Sequence, residues 1–492
     1  MAKAIELWAD SFHEGEWCCS NFGEIITELG GAVHKSIIKG FQPVYTFCIE
    51  DCTIEVTVYG SYKSWSPVPT VIDELLCWGK PDFLAFDKEA DKIVFAVEET
   101  AATPTGNQAM QRCERIYGSA RAKIPFWFLL SEYGMHGDGG VRRDSIWSAV
   151  QALKLTQKEQ IPCVVLHYSS VESPEDYAAG AGKRSLFEAL VQVMLNHIIV
   201  GRETTTLTRI LTEQYKEMLG FINSQHQNVV DYFPGVEHLN SDAVASTFAA
   251  LASGQQGADR LPDGFLVWPT TNGLPADILQ KQRSKPLIKH DPLCFLLERD
   301  LDYGKAYILS DNAGSGQPQS FGKIQGWVNA QRSIFESFPI DGVDFPLRAE
   351  DFPATDNGNR HMTTAKNIVY LYDRWGSLRE TIEAAFPRLV GRLDTSLDER
   401  PAFIYISNSL KPGRIFGDPY TGQLSGYGIA FGKFDQSQRV IVAYFSHQSH
   451  GLACREVGES GNKGLTLMRE LTDYLIFTGG VVMPLSRGGV VL

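Results

Sequence analysis

The stretch from Lys80 to Phe128 constrains the fold more than any other part of the chain. Pro81-Asp82 heads a short apolar run, Phe83 to Phe86. A charged turn from Asp87 to Lys92 follows, and a second apolar run, Ile93 to Val97, ends in Glu98-Glu99-Thr100. Two apolar runs joined by a short polar turn predict a β-hairpin. The turn holds Asp87, Glu89 and Asp91 but no Asn-Gly, so a loop longer than two residues is expected. The start of one strand then lies beside the end of its antiparallel partner, which makes Asp82 a neighbour of Glu98 and Glu99. Carboxylates at adjacent strand ends can share a hard, oxygen-seeking cation such as Mg²⁺. Side chains alternate along a strand, so Glu98 and Thr100 face one way and Glu99 the other. Only one of the two glutamates is expected to face Asp82.

The flanking segments set the order of elements. Val71 to Trp78 reads as the last turns of a helix, which brings Glu74 towards the same place. Gly106-Asn107-Gln108 starts a helix running to about Ala122, with Asn107 as N-cap, and Ile124 to Leu130 is an apolar, aromatic strand. A Pro-Asp, a hairpin, then an acidic residue, any residue and Lys is the pattern this stretch resembles. It is that of the PD-(D/E)xK nuclease superfamily, to which most type II restriction endonucleases belong. Helix, hairpin, helix, strand is the core order of that fold, and the resemblance covers roughly residues 20 to 200.

The resemblance implies an α/β (α+β) chain whose mixed central sheet is flanked by helices, followed by a C-terminal α+β region. It implies a Mg²⁺-dependent endonuclease acting on double-stranded DNA. Asp82 with Glu98 or Glu99 would hold the metal, and Glu74 would be a further ligand. The chain departs from the pattern at the lysine. That position is Thr100 if Glu98 is the motif acid and Ala101 if Glu99 is. Glu99 itself, Gln108, Arg112 and Lys123 are candidates to take over the lysine's part in activating water.

At 492 residues the chain is too long for one core. The pattern divides it into 1–200 (the nuclease-like core), 201–350 (a mostly helical middle region) and 351–492 (an α+β region for recognition or dimer contacts). No run of eighteen apolar residues predicts a membrane span. The start has no apolar core after its basic residue, so no secretory leader is expected. Nine cysteines without a C-x₂-C pair read as reduced thiols in a cytoplasmic protein.

The net charge of −13 speaks against a broadly basic surface, but a nucleic-acid channel needs only a local basic stripe. Residues 1–200 carry 17 Lys+Arg against 26 Asp+Glu; the remaining residues carry 28 against 32. The second half is therefore closer to neutral. Candidate DNA contacts are Arg112 and Arg115, three apart on one helix face, and Arg142-Arg143 in a glycine-rich loop that also holds His136. The cluster Lys281, Arg283, Lys285 and Lys289 adds four positive charges in nine residues. Each reads equally as a solvated surface. His447, His450 and Cys454 lack a clear fourth zinc ligand and read as a polar loop.

Further along, 203–223 and 240–253 have helical spacing. Thr364 to Phe386 and Gly464 to Phe477 also read as helices. Phe403 to Ser407, Gly426 to Phe434 and Arg439 to Ser446 read as three antiparallel strands. The expectation is a site-specific endonuclease working as a homodimer on duplex DNA, with no membrane association. The alternatives are a nuclease on RNA or single strands in phage defence, and a degenerate nuclease fold that only binds DNA or a protein partner.

Overall fold

The computed structural model describes residues 2–62, 67–100, 109–135, 141–144, 146–168, 181–225 and 242–255 of the first half. Of the rest it describes 293, 306–313, 319–320, 361–362, 366–372, 374–408, 422, 424–426, 428–429, 439–445, 467, 470–477 and 481–484. The chain forms two compact units: Met1–Gln227 with Val236–Phe265, and Asn228–Gly235 with Leu266–Leu492.

The first unit is built on an eight-stranded mixed sheet. Strand β1 (Ala2–Ala9) leads into helix α1 (Phe12–Glu28). Ser11 caps that helix, its Oγ accepting from Glu14 N at 3.2 Å, and Cys18, Phe22, Ile25 and Ile26 form the buried stripe. A meander of β2 (Ala32–Ile38), β3 (Gln42–Ile49) and β4 (Cys52–Gly60) follows. Strand β4 alternates with period two: Ile54, Val56 and Val58 are buried and Glu55 is exposed. A short helix α2 (Thr70–Leu76) precedes the hairpin of β5 (Phe83–Asp87) and β6 (Lys92–Thr100).

The hairpin pairs Phe83 with Val97 and Asp87 with Lys92, so its turn has four residues, in line with the missing Asn-Gly. Asp87 organises that turn, its Oδ1 accepting from the backbone N–H groups of Glu89 (2.9 Å) and Ala90 (3.0 Å).

Helix α3 (Cys113–Arg121) connects β6 to the parallel strand β7 (Phe126–Ser131). Residues 109 and 110 are helical too, and turn residues at 111 and 112 separate them from Cys113. Arg112 stands at the N-cap of α3 without a side-chain cap bond, and Asn107 lies outside the described residues. The small ribbon β8 (Tyr133–Met135) and β9 (Val141–Arg143) leads to α4 (Trp147–Glu159) and β10 (Cys163–Tyr168), which is parallel to β7. The sheet order is β10-β7-β6-β5-β1-β4-β3-β2.

Helices α5 (Ala181–Ile198), α6 (Thr205–Gln225) and α7 (Asp242–Ala252) complete the unit. The boundary near residue 200 is therefore too early. Gln214 on α6 accepts from Trp127 Nε1 at 3.0 Å and donates to Ser185 O at 2.9 Å, and the Tyr215 hydroxyl meets Thr156 Oγ1 at 3.1 Å. These bonds fasten α6 across the β10 side of the sheet, so it belongs to the same core.

The second unit centres on a six-stranded sheet of order β11-β14-β15-β16-β17-β18. Its strands are β11 (Ala306–Ala313), β14 (Lys366–Tyr372), β15 (Ala402–Asn408), β16 (Val440–Phe445), β17 (Tyr474–Phe477) and β18 (Val481–Pro484). A separate pair is formed by β12 (Gln319–Ser320) and β13 (His361–Met362). Helix α8 (Trp375–Ala385) buries Trp375, Leu378 and Ile382 against Ile404, Val442 and Ile476.

Three expectations fail in this unit. The helix read over 364–386 is a strand, β14, up to Tyr372, because its first half (Lys-Asn-Ile-Val-Tyr-Leu-Tyr) is β-branched and aromatic. Strands β15 and β16 pair in parallel rather than antiparallel, and helical residues at 424–426 and 428–429 stand where a strand was read. The last amphipathic segment, read as a helix to Phe477, becomes strand β17 from Tyr474. Short apolar runs buried on both faces look alike as helix or strand. Among the described residues, no helix is long and apolar enough to cross a membrane, and the seven cysteines are all free.

Candidate active site

Asp82 is held from both sides before its carboxylate comes into play. The Tyr62 hydroxyl donates to Pro81 O at 3.0 Å and to Trp8 O at 3.3 Å, beneath the Pro-Asp step. Asp10 N donates to Asp82 O at 2.8 Å, and Lys80 forms an ion pair with Asp10. The Asp82 carboxylate accepts from Glu99 N through Oδ2 at 2.7 Å. The hairpin thus brings Asp82 to the end of β6, as its sequence requires.

The two glutamates go to opposite faces of the sheet. Phe22 of α1 stacks on Phe95 at 6.0 Å, so the odd-numbered side chains of β6, Glu99 among them, face α1. Glu98 faces α3. It is 1 % exposed, and a single oxygen, Oε1, meets Arg112 Nε at 3.0 Å and Arg115 Nη1 at 3.1 Å. Both contacts are ion pairs whose angles fall short of hydrogen bonds. Arg115 Nε also donates to Lys80 O at 2.6 Å, tying α3 to the segment before Asp82. Burial pushes the Glu98 carboxyl up, Arg115 pulls it back, the Asp82 charge raises it again and Arg112 lowers it. Glu98 is thus paired with the arginines, and the Asp82 charge is felt by both Glu98 and Glu99.

Glu99 accepts the Tyr168 hydroxyl of β10 on Oε1 at 3.0 Å. Burial, opposed by that bond and reinforced by the Asp82 charge, raises its carboxyl from 4.5 to about 7. Asp82 is also raised, first by burial. A third carboxylate joins them. Glu14, in the first turn of α1, is raised by burial and then by the Asp82 charge, and it adds to the charge felt by Glu99. Its Oε2 is buried without a hydrogen-bond partner. The sequence signal for Glu14 was present but unread: Ser11-Phe-His-Glu14 is a Ser-x-x-Glu capping box.

The other expected site residues do not all converge. Glu74 is exposed on α2, and no contact joins it to Asp82, Glu98 or Glu99. Lys123 is not a catalytic substitute. It precedes β7 with φ +59°, at the far end of the strand, where its Nζ bonds Glu159 Oε2 at 2.7 Å and Glu159 O at 2.8 Å. Thr100, on the Glu98 face, is buried. Arg112 and Arg115 both pair with Glu98. Arg142 and Arg143 lie on β9, of which only the backbone is described. Gln108, His136, the Lys281, Arg283, Lys285 and Lys289 cluster, and His447, His450 and Cys454 lie outside the described residues.

The donor set of Asp82, Glu99 and Glu14 is all carboxylate oxygen, and its buried, partnerless Oε2 and raised carboxyls are those of an acid cluster short of positive charge. In kind this fits a hard divalent cation. As placed, no group of three or more His, Cys, Asp or Glu side chains among the described residues is close enough to hold one. No family model, curated protein or solved structure matches the chain in comparisons with known proteins.

Proposed function

We propose that the protein is a Mg²⁺-dependent endonuclease that hydrolyses phosphodiester bonds of double-stranded DNA. The observation that carries this reading is the joining of Asp82 and Glu99 at adjacent ends of hairpin β5/β6, with Glu14 beside them and Arg112 and Arg115 on the next helix. Asp82, Glu99 and Glu14 would hold the ion. Bound there, it would supply a lowered water pKa and offset charge on the phosphate.

The chain's own groups do the rest. The Glu99 backbone N–H and the Tyr168 hydroxyl orient the Asp82 and Glu99 carboxylates. The Arg112 side chain is 32 % exposed and pairs through Nε with Glu98, so its exposed part can offer N–H groups to a phosphate oxygen. With no lysine at the motif position, Arg112 would supply a cation on the Glu98 face of the hairpin. A homodimer would present two such sites to the two strands. Free cysteines accord with a cytoplasmic setting.

Digestion of several large duplex DNAs tests the reading, with Mg²⁺, with EDTA, and with Asp82→Ala. Discrete bands that need Mg²⁺ and vanish in the variant are expected. Intact duplex beside degraded single strands would move the substrate class. Intact nucleic acid in every lane, with binding retained, would leave a core that binds without cutting.

A further inference from the structure

Strand β10 ends in His167-Tyr168, and a cavity of about 270 Å³ lies between this end and helix α6. That is room for on the order of nine waters, near the lower end of small-molecule sites. Met218 and Phe221 form its apolar wall, and Glu132, His167 and Glu217 bring polar groups. The His167 ring lies 4.1 Å from the Phe221 ring at an interplanar angle of 35°. Its Nε2 is held by Asp144 Oδ2 at 3.0 Å, and that carboxylate is fully buried. The imidazole is thus fixed in orientation next to an aromatic face. A Cβ added at Gly220 would meet nothing within 4 Å, so the helix leaves space there.

The polar lining selects the occupant. Among the described residues it holds two glutamates and no lysine or arginine. A group that donates hydrogen bonds would find a carboxylate acceptor in Glu217 at the rim. A flat ring would find Phe221 and His167. The cavity also shares a residue with the candidate active site: Tyr168 lines it and gives its hydroxyl to Glu99.

We propose that this cavity takes a nucleobase bearing an exocyclic amine (adenine, cytosine or guanine) from the strand held at Asp82 and Glu99. The inference rests on the nuclease reading. Carboxylates accept from the amine of cytosine, and ring stacking is open to every base. Thymine has no such amine and fits least well. A single-stranded base enters without the unpairing that a duplex base would require.

The test uses the full chain in EDTA, so that nothing is cut, with fluorescence anisotropy of labelled dC, dA and dT oligonucleotides. Expected is about tenfold tighter binding of dC and dA than of dT, the size of one base contact. Phe221→Leu keeps the wall apolar and removes the ring, and Glu217→Ala removes an acceptor at the exposed rim. Glu217→Ala should bring dC and dA down to the dT level and leave dT unchanged, and Phe221→Leu, which removes the ring, should weaken all three. Binding without base preference, or an equal loss for all three oligonucleotides in Glu217→Ala, overturns the inference and leaves the nuclease reading standing. If no oligonucleotide binds, the nuclease reading falls with the strand-borne base. Free deoxycytidine and thymidine then decide the cavity. A melting shift from deoxycytidine alone, lost in Phe221→Leu, upholds the amine-bearing ring as ligand, and no shift overturns it.

Discussion

Glu98 and Glu99 are adjacent in the chain and face opposite sides of the sheet, and burial raises both carboxyls. Glu99 sits among other acids, so the fold works against its ionisation. A carboxyl whose folded pKa lies above its unfolded value adds stability at low pH and loses it as pH rises through the folded value. For Glu99 that window runs from 4.5 to about 7. The loss is on the order of 2 kcal/mol once solvent screening is allowed for. Glu99→Gln cannot ionise, so it should melt higher than the wild type at pH 8 and at the same temperature near pH 4; thermal melts at the two pH values read this directly. Saturating Mg²⁺ should close the gap at pH 8 by stabilising only the wild type.

Glu98→Ala should act the other way. It leaves Arg115, only 13 % exposed, beside an empty space, and should lower stability by about 3 kcal/mol in denaturant titrations. A smaller loss for Glu99→Ala would fit the separate parts assigned to the two residues. At this scale the sequence told that one glutamate faces Asp82 but not which. The answer depends on where α1 and α3 lie, through Phe22 on Phe95 and the arginines on Glu98, and those are contacts between segments far apart in the chain.

At the scale of elements, local signals were legible wherever one face of a strand or a turn fixes the pattern. The β4 alternation, the long turn of β5/β6 and the helix-to-strand passage from α3 to β7 all appear as their residues indicate. One failure falls where a run is buried on both faces, as at β17 with Tyr474, Leu475 and Ile476, because nothing in such a run records its period. Lys123 shows a different gap: it is near the site in the chain but a strand's length from it in space, and its partner Glu159 comes from α4.

Helix α3 reaches its place through a close contact. A Cβ at Gly118 would collide with Trp78, the residue that stacks edge-on against Tyr117 at 5.8 Å. Gly118→Ala should therefore cost about 1–3 kcal/mol despite its better helix propensity. Because Arg115 sits one turn before Gly118, the same change should weaken nucleic-acid binding in a filter or anisotropy assay. An unchanged melting curve would mean that α3 is not seated on Trp78.

For the whole molecule, each of the two units has its own sheet and core, and the first contains the described carboxylates, arginines and cavity. A fragment spanning residues 1–265 should unfold cooperatively by circular dichroism and keep the response of the intact chain to Mg²⁺. A fragment without a cooperative transition would show that the second unit is needed to hold the first. The chain's overall acidity gave little help with the site, since the proposed ligands are three acids among 58.

The two faces of β6 carry one further consequence. Which job each glutamate performs is set by whether its position in the strand is odd or even, not by its distance from Asp82 in the chain. Shifting β6 by one residue against its neighbours would put one glutamate in the other's place and leave the remaining place without an acid, while shifting it by two would leave neither place with a glutamate. The hairpin already absorbs one irregularity between Ala85 and Phe86. The 88–91 turn must therefore hold β6 in this one register, and added residues are tolerated only where they stay in the turn.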